Sequence, residues 1–535
     1  MSSRECAEAT VRYDAIVVGS GFGGAMSARV LVEAGWSVLM VERGDWVARG
    51  PQNWSPDAVG QLTSHYSNET PYRVLHPSGV TQAGAFHCVG GPSVFYGGVA
   101  LRFRSEDFEE DPEISGNSGA RWPWTYADLE PYYAEAERIL GVAGDAGVDP
   151  TEPPRTAPYP QEPRQLAPVS GRIERAARDL GHRPFRLPLA INQKTSFGRS
   201  PCIACGTCDG FACAVSAKND LATVVIGPLI RRGLQLRVNA VATRLNVEQG
   251  RVTGVVVTDH DTGATTLYHA EAVILAAGAL ATPHLLLASG LPRFNPGGHV
   301  VGRYLMRHYN KIVFGIFPEL PNPGGGFHKQ LAIHDFYFGD PSLQRPRGKL
   351  GGIQQLATPP AGLVRAQLPP IIGSVCARWV NHLTGLLTIA EDQPQYQNRV
   401  FIDSRSHDRH GLPRLQVDHR YSERDLAAGH ALVTRASAIL RRAGAWALYR
   451  HRIDTFSHAV GTVRIGADPR NSALDANCRF RGVDNLYVVD GSAMATSAAV
   501  NPSLTIAANA LRAAHLLVGH SSAPKEHGLH AQIDN

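Results

Sequence analysis

The chain has 535 residues, of which 43% are hydrophobic and 19% are charged, and its formal net charge is +5. This composition is that of a globular protein with two or more domains, and no Lys/Arg run is long enough to follow a nucleic-acid backbone. Because the sequence shows neither an apolar signal segment nor a stretch of membrane-spanning length, we expect a cytoplasmic protein with no nucleic-acid or membrane partner.

The first predicted unit combines a strand, a glycine motif, a helix and a second strand. The apolar run Ala15–Val18 is typical of a buried strand, and Gly19, Gly21 and Gly24 follow it in G-x-G-x-x-G spacing. Such glycines permit a tight turn, the approach of a pyrophosphate to the backbone, and packing of the helix on the strand. The second strand ends in Glu42, whose carboxylate can hold a ribose hydroxyl. The pattern predicts a dinucleotide-binding unit of the Rossmann type.

A glycine-rich loop follows, with one glycine pair at Gly90–Gly91 and another at Gly97–Gly98. Glycine permits the close approach of backbone to a ligand. We therefore expect this loop to lie against a bound cofactor, and the family resemblance described below implies that Gly91, Ser93, Tyr96 and Gly97 contribute to its site. The alternative for Tyr96 is an ordinary packed tyrosine.

Four cysteines, Cys202, Cys205, Cys208 and Cys213, are spaced C-x2-C-x2-C-x4-C. Four thiols this close can hold an iron–sulfur cluster or a tetrahedral zinc, and the alternative is a turn-rich loop of free or disulfide-paired cysteines. The run is one residue longer than the usual bacterial iron–sulfur spacing and has no proline after its last cysteine. We therefore assign no metal site to these residues, while an iron–sulfur cluster, a zinc ion, disulfides and free thiols all stay open.

Two later segments complete the nucleotide-binding unit. One is a strand, a turn and a helix around Gly278, and the other is a strand that ends at Asp490 and is followed by a helix opening at Asn501-Pro502. An NAD-binding domain is usually one contiguous block, so this split arrangement indicates a flavoprotein. The further residues assigned to the cofactor site are Val241, Ala277, Gly278, Asp490, Gly491, Asn501 and Pro502.

The region 303–450 contains a run of strand-like pieces and a long helical pattern from Ser422. It predicts a substrate-binding domain with an antiparallel β-sheet backed by helices. The predicted fold class is α/β, with a split Rossmann-like FAD-binding domain beside it. The boundaries are 1–110, 195–302 and 451–520 for the FAD-binding domain, 111–194 and 303–450 for the substrate-binding domain and its connecting loops, and 521–535 for a flexible tail.

Over nearly its whole length the chain resembles the glucose–methanol–choline (GMC) flavin oxidoreductases. The resemblance is carried by the glycine motif with Glu42, by "VGGPSVFYGGVALRFRSEDF", "AAGALATPHLLLASG" and "VGRYLMRH", and by the long segment that begins "SHAVGTVRIG" at Ser457. It implies FAD as cofactor and oxidation of an alcohol to a carbonyl by hydride transfer to flavin N5. The subgroup resembles bacterial sugar and aminoglycoside oxidases.

The resemblance leaves the acceptor and the oligomeric state open. The reduced flavin of such an enzyme passes its electrons to O2 or to another acceptor. One alternative is an acceptor-using dehydrogenase of the same family, and another is a flavin-bound member with non-redox, lyase-like chemistry.

The resemblance also implies that His458 is the catalytic acid/base and that Asn501 is its partner. A hydride leaves an alcohol carbon more easily when the hydroxyl proton leaves before or with it, which needs a base such as histidine. A second polar group must hold the oxygen. Asn501 is in addition expected to cap its helix, whose positive end would face the flavin or its pyrophosphate. The alternatives are a buried structural histidine and a plain helix cap.

The first prediction concerns the attachment of FAD. Some relatives bind FAD covalently through a histidine of the glycine-rich loop, and Phe95 occupies that position here. We therefore expect non-covalent FAD, which acid or heat denaturation releases into the supernatant, as its absorption spectrum would show. Flavin that remained with the precipitated protein would contradict this assignment.

Overall fold

The computed structural model describes residues 12–54, 66–76, 79–195, 198–344, 346 and 348–520. The predicted tail at 521–535 lies outside these residues. Across the described ranges, no helix combines the length and the apolar character needed to cross a membrane.

The described residues form strands and helices that alternate along much of the chain. The strands are β1 Arg12–Val18, β2 Val38–Val41, β3 Tyr66–His76, β4 Gly79–Phe86, β5 Phe185–Arg186, β6 Gln235–Arg237, β7 Ala240–Glu248, β8 Arg251–Asp259, β9 Thr265–Leu275, β10 Tyr309–Ile316, β11 Leu331–Ile333, β12 Gly351–Leu356, β13 Leu383–Ala390, β14 Arg399–His407, β15 Pro413–Asp418, β16 Ala447–Arg452 and β17 Leu486–Val488. The helices are α1 Phe22–Glu33, α2 Pro112–Ser115, α3 Tyr126–Ile139, α4 Pro168–Asp179, α5 Gly227–Ile230, α6 Gly278–Ala288, α7 Ala361–Gln367, α8 Pro370–Trp379, α9 Glu423–Arg442 and α10 Ser503–His520.

The first sheet has the order β6-β2-β1-β9-β8-β7, with β17 paired to β9. Strands β6, β2, β1, β9 and β17 are parallel, so their carboxyl ends meet at one edge. The register places Val17 of β1 between Met40 and Ile274. Helix α1 packs against α10, which brings the end of the chain onto its beginning. The sheet therefore joins pieces from the start, middle and end of the sequence.

The second sheet has the order β16-β10-β13-β12-β11-β5, and each neighbouring pair is antiparallel. One face packs on α4 and α9 through a core that includes Val313, Leu386 and Leu432. The other face turns toward the first core, because Ala332 of β11 belongs to that core and pairs with Gln354. The expected α/β fold, with a split Rossmann-like domain and an antiparallel sheet backed by helices, is confirmed.

A third sheet, of order β14-β15-β3-β4, was not predicted. It pairs β3, from the region assigned to the FAD-binding domain, in parallel with β15, from the region assigned to the substrate-binding domain. Because these two strands lie far apart in sequence, no local sequence pattern indicates that they pair. The exact domain boundaries stay a prediction.

The segment that contains His458 is fixed by backbone hydrogen bonds. The N–H groups of residues 461, 463 and 465 donate to the carbonyl oxygens of residues 491, 492 and 493 at 2.9, 2.8 and 2.8 Å. On its other side Val460 exchanges two backbone hydrogen bonds with Met306. Gly461 makes this close approach possible: its φ is +96°, and a Cβ atom there would lie 2.5 Å from the carbonyl oxygen of Tyr304.

The second prediction tests this close approach. Gly461→Ala should lower the free energy of unfolding by about 1–3 kcal/mol, because alanine is strained at this φ and its Cβ would meet the carbonyl oxygen of Tyr304 as well as the side chain of Met306. Chemical denaturation of the holoenzyme measures the change. Gly519→Ala is the matched control, since that exposed helical glycine has no atom within 4 Å of its Cβ position. Equal stability of the two variants would contradict the prediction.

Candidate active site

The glycine motif forms an open cradle at the carboxyl end of β1. A Cβ atom on Gly24 would collide with the carbonyl oxygen of Gly19, so the first turn of α1 lies directly on the motif's turn. The Cβ position of Gly21 has no protein atom within 4 Å, which leaves its backbone accessible to a ligand. A Cβ on Gly91 would lie 3.2 Å from Cα of Gly21, so the glycine-rich loop forms one side of the cradle. The cradle fits a dinucleotide pyrophosphate.

Glu42 lies at the end of β2, as expected, and is buried. Its carboxylate accepts hydrogen bonds from the backbone N–H and the hydroxyl of Ser20 at 3.1 and 2.5 Å, and from the N–H of Gly44 at 2.9 Å. Burial raises the pKa of Glu42. The backbone N–H of Ala240 donates to the carbonyl oxygen of Glu42, which places Val241 nearby. The contact of Glu42 with a ribose stays a prediction.

Asp490 links the first turn of α6 to the C-terminal segment. One carboxylate oxygen accepts from the N–H of Gly278 at 2.8 Å and from the hydroxyl of Thr282 at 2.5 Å, and the other accepts from Ser492. Burial raises the pKa of Asp490. Both oxygens thus hold the protein's own groups at the edge where β9 and β17 end. This brings Gly278 and the neighbouring Gly491 and Ala277 to the cradle.

The glycine-rich loop is held by its own side chains. The hydroxyl of Ser93 accepts a hydrogen bond from the N–H of Leu221 at 3.0 Å, and the hydroxyl of Tyr96 donates to the carbonyl oxygen of Asn219 at 3.1 Å. Phe95 is buried. The hydroxyl of Tyr96 therefore serves the loop itself, while a contact of its ring with the cofactor stays a prediction.

Cys202, Cys205, Cys208 and Cys213 are free thiols that line one small cavity together with Lys218. The buried ammonium of Lys218 donates to the backbone carbonyl oxygens of Tyr96, Cys208 and Phe211, which ties the cysteine loop to the glycine-rich loop. Among the described residues, no three His, Cys, Asp or Glu side chains are grouped to hold a metal ion.

The structure brings His458 and Asn501 together. Nδ2 of Asn501 lies 3.4 Å from Nε2 of His458. Nε2 of Gln354 donates to Oδ1 of Asn501 at 2.8 Å, which turns the asparagine N–H groups toward the histidine. The expected role of Asn501 as a helix cap is wrong: α10 begins at Ser503, with Pro502 between, and the side chain of Asn501 bonds to Gln354 instead.

A second histidine fixes the protonation of the first. Nε2 of His308 lies 3.0 Å from the carbonyl oxygen of Ser497, which can only accept, so this nitrogen carries the hydrogen. Nδ1 of His308 then accepts from Nδ1 of His458 at 3.0 Å. The lone pair of His458 is therefore on Nε2, beside the N–H of Asn501. The basic nitrogen of His458 thus faces Asn501. A hydroxyl group held by Asn501 would lie beside the nitrogen that accepts its proton.

Asp392 organises the backbone behind this pair. Its carboxylate accepts from the N–H groups of Arg307 and His308 at 2.8 and 3.0 Å and from the hydroxyl of Ser497 at 2.9 Å, and it lies 3.5 Å from Nε2 of His419. Burial by itself would raise the pKa of Asp392, but these donors, with His419 foremost, hold it below its usual value. Asp392 is therefore a buried anion behind His308.

Burial, with smaller contributions from His308 and Lys329, lowers the pKa of His458 to about 3. His458 is thus unprotonated at neutral pH, and its lone pair is free. Nζ of Lys329 pairs with Asp209 at 2.7 Å, and a Cβ atom on Gly97 would collide with it. Gly97 therefore makes room for the ammonium group of Lys329, whose charge contributes to the lowered pKa of His458.

Four residues of this site were missed from the sequence: His308, Asp392, Gln354 and Lys329. His308 ends the "VGRYLMRH" motif, so its position was noted without a role being assigned. Gln354 lies on β12, and Lys329 lies shortly before β11. The sequence pattern of these strands indicates only which of their residues are buried. No local signal distinguishes them.

Comparison with known families agrees with this arrangement. Residues 13–310 and 394–510 match the two models described as GMC oxidoreductase. The chain belongs to the GMC oxidoreductase family. The expected resemblance is confirmed, and FAD is the cofactor of this enzyme, which oxidises an alcohol. A non-covalent FAD, as Phe95 predicts, is consistent with the family.

Several characterised relatives match along almost their full length. The 6'''-hydroxyparomomycin C oxidase of Streptomyces lividus is 31% identical over 96% of this chain and 92% of its own. The paromamine 6'-oxidase of Streptomyces fradiae is 30% identical over 95% and 91%. The 2-methyl-1,2-propanediol dehydrogenase of Mycolicibacterium austroafricanum is 29% identical over 94% of each chain. The pyridoxine 4-oxidase structure from Mesorbium loti shares the fold, with a TM-score of 0.65 and 19% identity over 95% and 99% of the two chains.

The third prediction follows from the position of His458. His458→Ala should retain FAD but slow reduction of the flavin by an alcohol about 10²–10⁴-fold, as removal of a general base does. Anaerobic stopped-flow absorption measures the rate. His515→Ala, at an exposed histidine of α10, is the control. An unchanged rate in His458→Ala would remove the histidine from the mechanism.

Proposed function

We propose that the substrate is a hydroxyl group of a polyhydroxylated compound, a sugar, aminoglycoside or related polyol, with His458 as base and Asn501 as hydrogen-bond donor. The observation that carries the proposal is the polar lining beside this pair. Oε1 of Gln354 is buried and has no hydrogen-bond partner among the described residues, although its Nε2 is fixed on Asn501. A second hydroxyl of a polyol would satisfy this acceptor, and a simple alcohol would not.

The relatives support the same substrate class. Two of them are named as oxidases of paromomycin-type aminoglycosides, and a third as a dehydrogenase of a vicinal diol. The compounds in these three names share a hydroxyl group that has a polar neighbour. We propose that the site recognises this shared chemistry and not any one of these compounds.

The residues divide the chemistry as follows. Asn501 donates a hydrogen bond to the substrate oxygen and holds it next to Nε2 of His458, which accepts the hydroxyl proton. The ammonium of Lys329 favours the negative charge that develops on that oxygen. Bound FAD supplies the acceptor for the hydride. The acceptor that reoxidises the flavin is O2 or another oxidant, and an acceptor-using dehydrogenase is the second candidate.

The fourth prediction tests the proposal with the holoenzyme. Under anaerobic conditions, sugars, aminoglycosides and vicinal diols should bleach the visible absorption of the oxidised flavin, with KM about 10–100-fold below that of the matched mono-alcohols, because these leave Gln354 unpaired. Gln354→Met, of similar size but without the acceptor, should remove this discrimination.

Two different results would contradict two different parts of this assignment. Absence of bleaching with every alcohol would reject alcohol oxidation by this site, and equal KM values for diols and mono-alcohols would reject the polyol class. Addition of O2 to the reduced enzyme, followed by an assay of peroxide, separates an oxidase from a dehydrogenase.

A further inference from the structure

The contact between His308 and His458 places a second ring behind the base. The two Nδ1 atoms are 3.0 Å apart and the ring planes are at 87° to each other. His308 is fully buried, and its other nitrogen is held by the carbonyl oxygen of Ser497 at 3.0 Å. The sole hydrogen on the shared axis belongs to His458. When Nε2 of His458 takes up one proton, the hydrogen on its Nδ1 can therefore pass to Nδ1 of His308.

The two rings differ in how well they hold a positive charge. Burial, together with the charges of His308 and Lys329, lowers the pKa of His458 to about 3. Burial also lowers the pKa of His308, but the carboxylate of Asp392 and the carbonyl oxygens of Ser497 and Ala498 act in the opposite direction. The carboxylate of Asp392 accepts from the backbone N–H of His308 at 3.0 Å and so stands behind that ring, where it favours an additional proton on His308.

We propose that His308 is the final acceptor of the substrate proton. His458 takes the hydroxyl proton at Nε2 and gives its own Nδ1 hydrogen to Nδ1 of His308. This inference rests on the proposed function, because the proton comes from the alcohol.

The step balances as follows. The O–H and C–H bonds of the alcohol break, a C=O bond forms, and the hydride leaves to bound FAD. An N–H bond forms at Nε2 of His458, the N–H bond at its Nδ1 breaks, and an N–H bond forms at Nδ1 of His308. His458 ends neutral, and His308 becomes an imidazolium beside Asp392. The positive charge is thus moved one ring away from the substrate carbon.

The backbone of His308 allows a matched pair of variants. Its φ is +59°, a region in which asparagine and glycine are favoured. His308→Asn places Oδ1 where Nδ1 was, so the hydrogen bond from His458 is kept but the group cannot take a proton. His308→Gly removes the acceptor altogether. The two variants separate support of the tautomer from acceptance of the proton.

The fifth prediction is that His308→Asn and His308→Gly both bind FAD and both slow flavin reduction by about 10²-fold. Anaerobic stopped-flow measurements with an alcohol that reduces the wild-type holoenzyme give the rates. A rate for His308→Asn close to that of wild type, with a slow His308→Gly, would mean that His308 only positions the base, and would overturn the proposal.

Nitrogen NMR of the 15N-histidine holoenzyme gives a second readout, with signals assigned from the His458→Ala and His308→Asn variants. Before reduction, His458 should carry its hydrogen on Nδ1 and His308 on Nε2. After anaerobic reduction by substrate, His308 should show the imidazolium signature. An imidazolium on His458, or no change in either ring, would overturn the proposal.

Failure of the proposed function gives a different result. Failure of the polyol assignment shows as equal KM values for diols and mono-alcohols, and failure of alcohol oxidation shows as no reduction of the wild-type enzyme, whereas failure of the proton transfer leaves both wild-type reduction and the KM difference intact. The tautomer measurement does not depend on turnover, and a hydrogen on Nε2 of His458 in the resting enzyme would overturn the proposal by itself.

Discussion

The arrangement of the site depends on the double backbone pairing of residues 460–465. On one side these residues bond to 491–493, next to the edge where β17 ends, and on the other side Val460 bonds to Met306, two residues before His308. The strand-like segment is therefore clamped between the nucleotide-binding sheet and the start of β10. His458 is thus carried by a piece of chain that touches both units, so its position is fixed relative to both.

This clamp holds a neutral histidine in a partly buried place. A buried imidazole without hydrogen-bond partners would be costly, and a charged one more so. Here Nδ1 is bonded to His308 and Nε2 lies 3.4 Å from the amide of Asn501, so both nitrogens have neighbours while the ring stays uncharged. The charged groups of this region are Asp392, behind the two histidines, and the Lys329–Asp209 ion pair. The substrate oxygen thus meets a base and a donor that are already oriented.

The sequence predicted those parts of the site whose residues follow one another along the chain. Gly19, Gly21 and Gly24 work through local backbone geometry, and their spacing alone indicates a pyrophosphate turn. The resemblance supplied His458 and Asn501, which the structure places in contact. Asn501 was expected to cap its helix, but the amide of Gln354, which comes from another domain region, takes its Oδ1. A cap is a local rule, and a competing donor from a distant strand is invisible to it.

The sequence by itself determined the dinucleotide-binding unit, the cofactor class and the α/β fold, because strand, turn and helix patterns are set by neighbouring residues. Only the tertiary structure decided which nitrogen of His458 is the base, since that depends on Ser497, His308 and Asn501, residues separated by up to 193 positions and joined only by folding. The same holds for Gln354 and Lys329. Hydrogen-bond geometry and electrostatic fields arise between segments, and no spacing within a single segment records them.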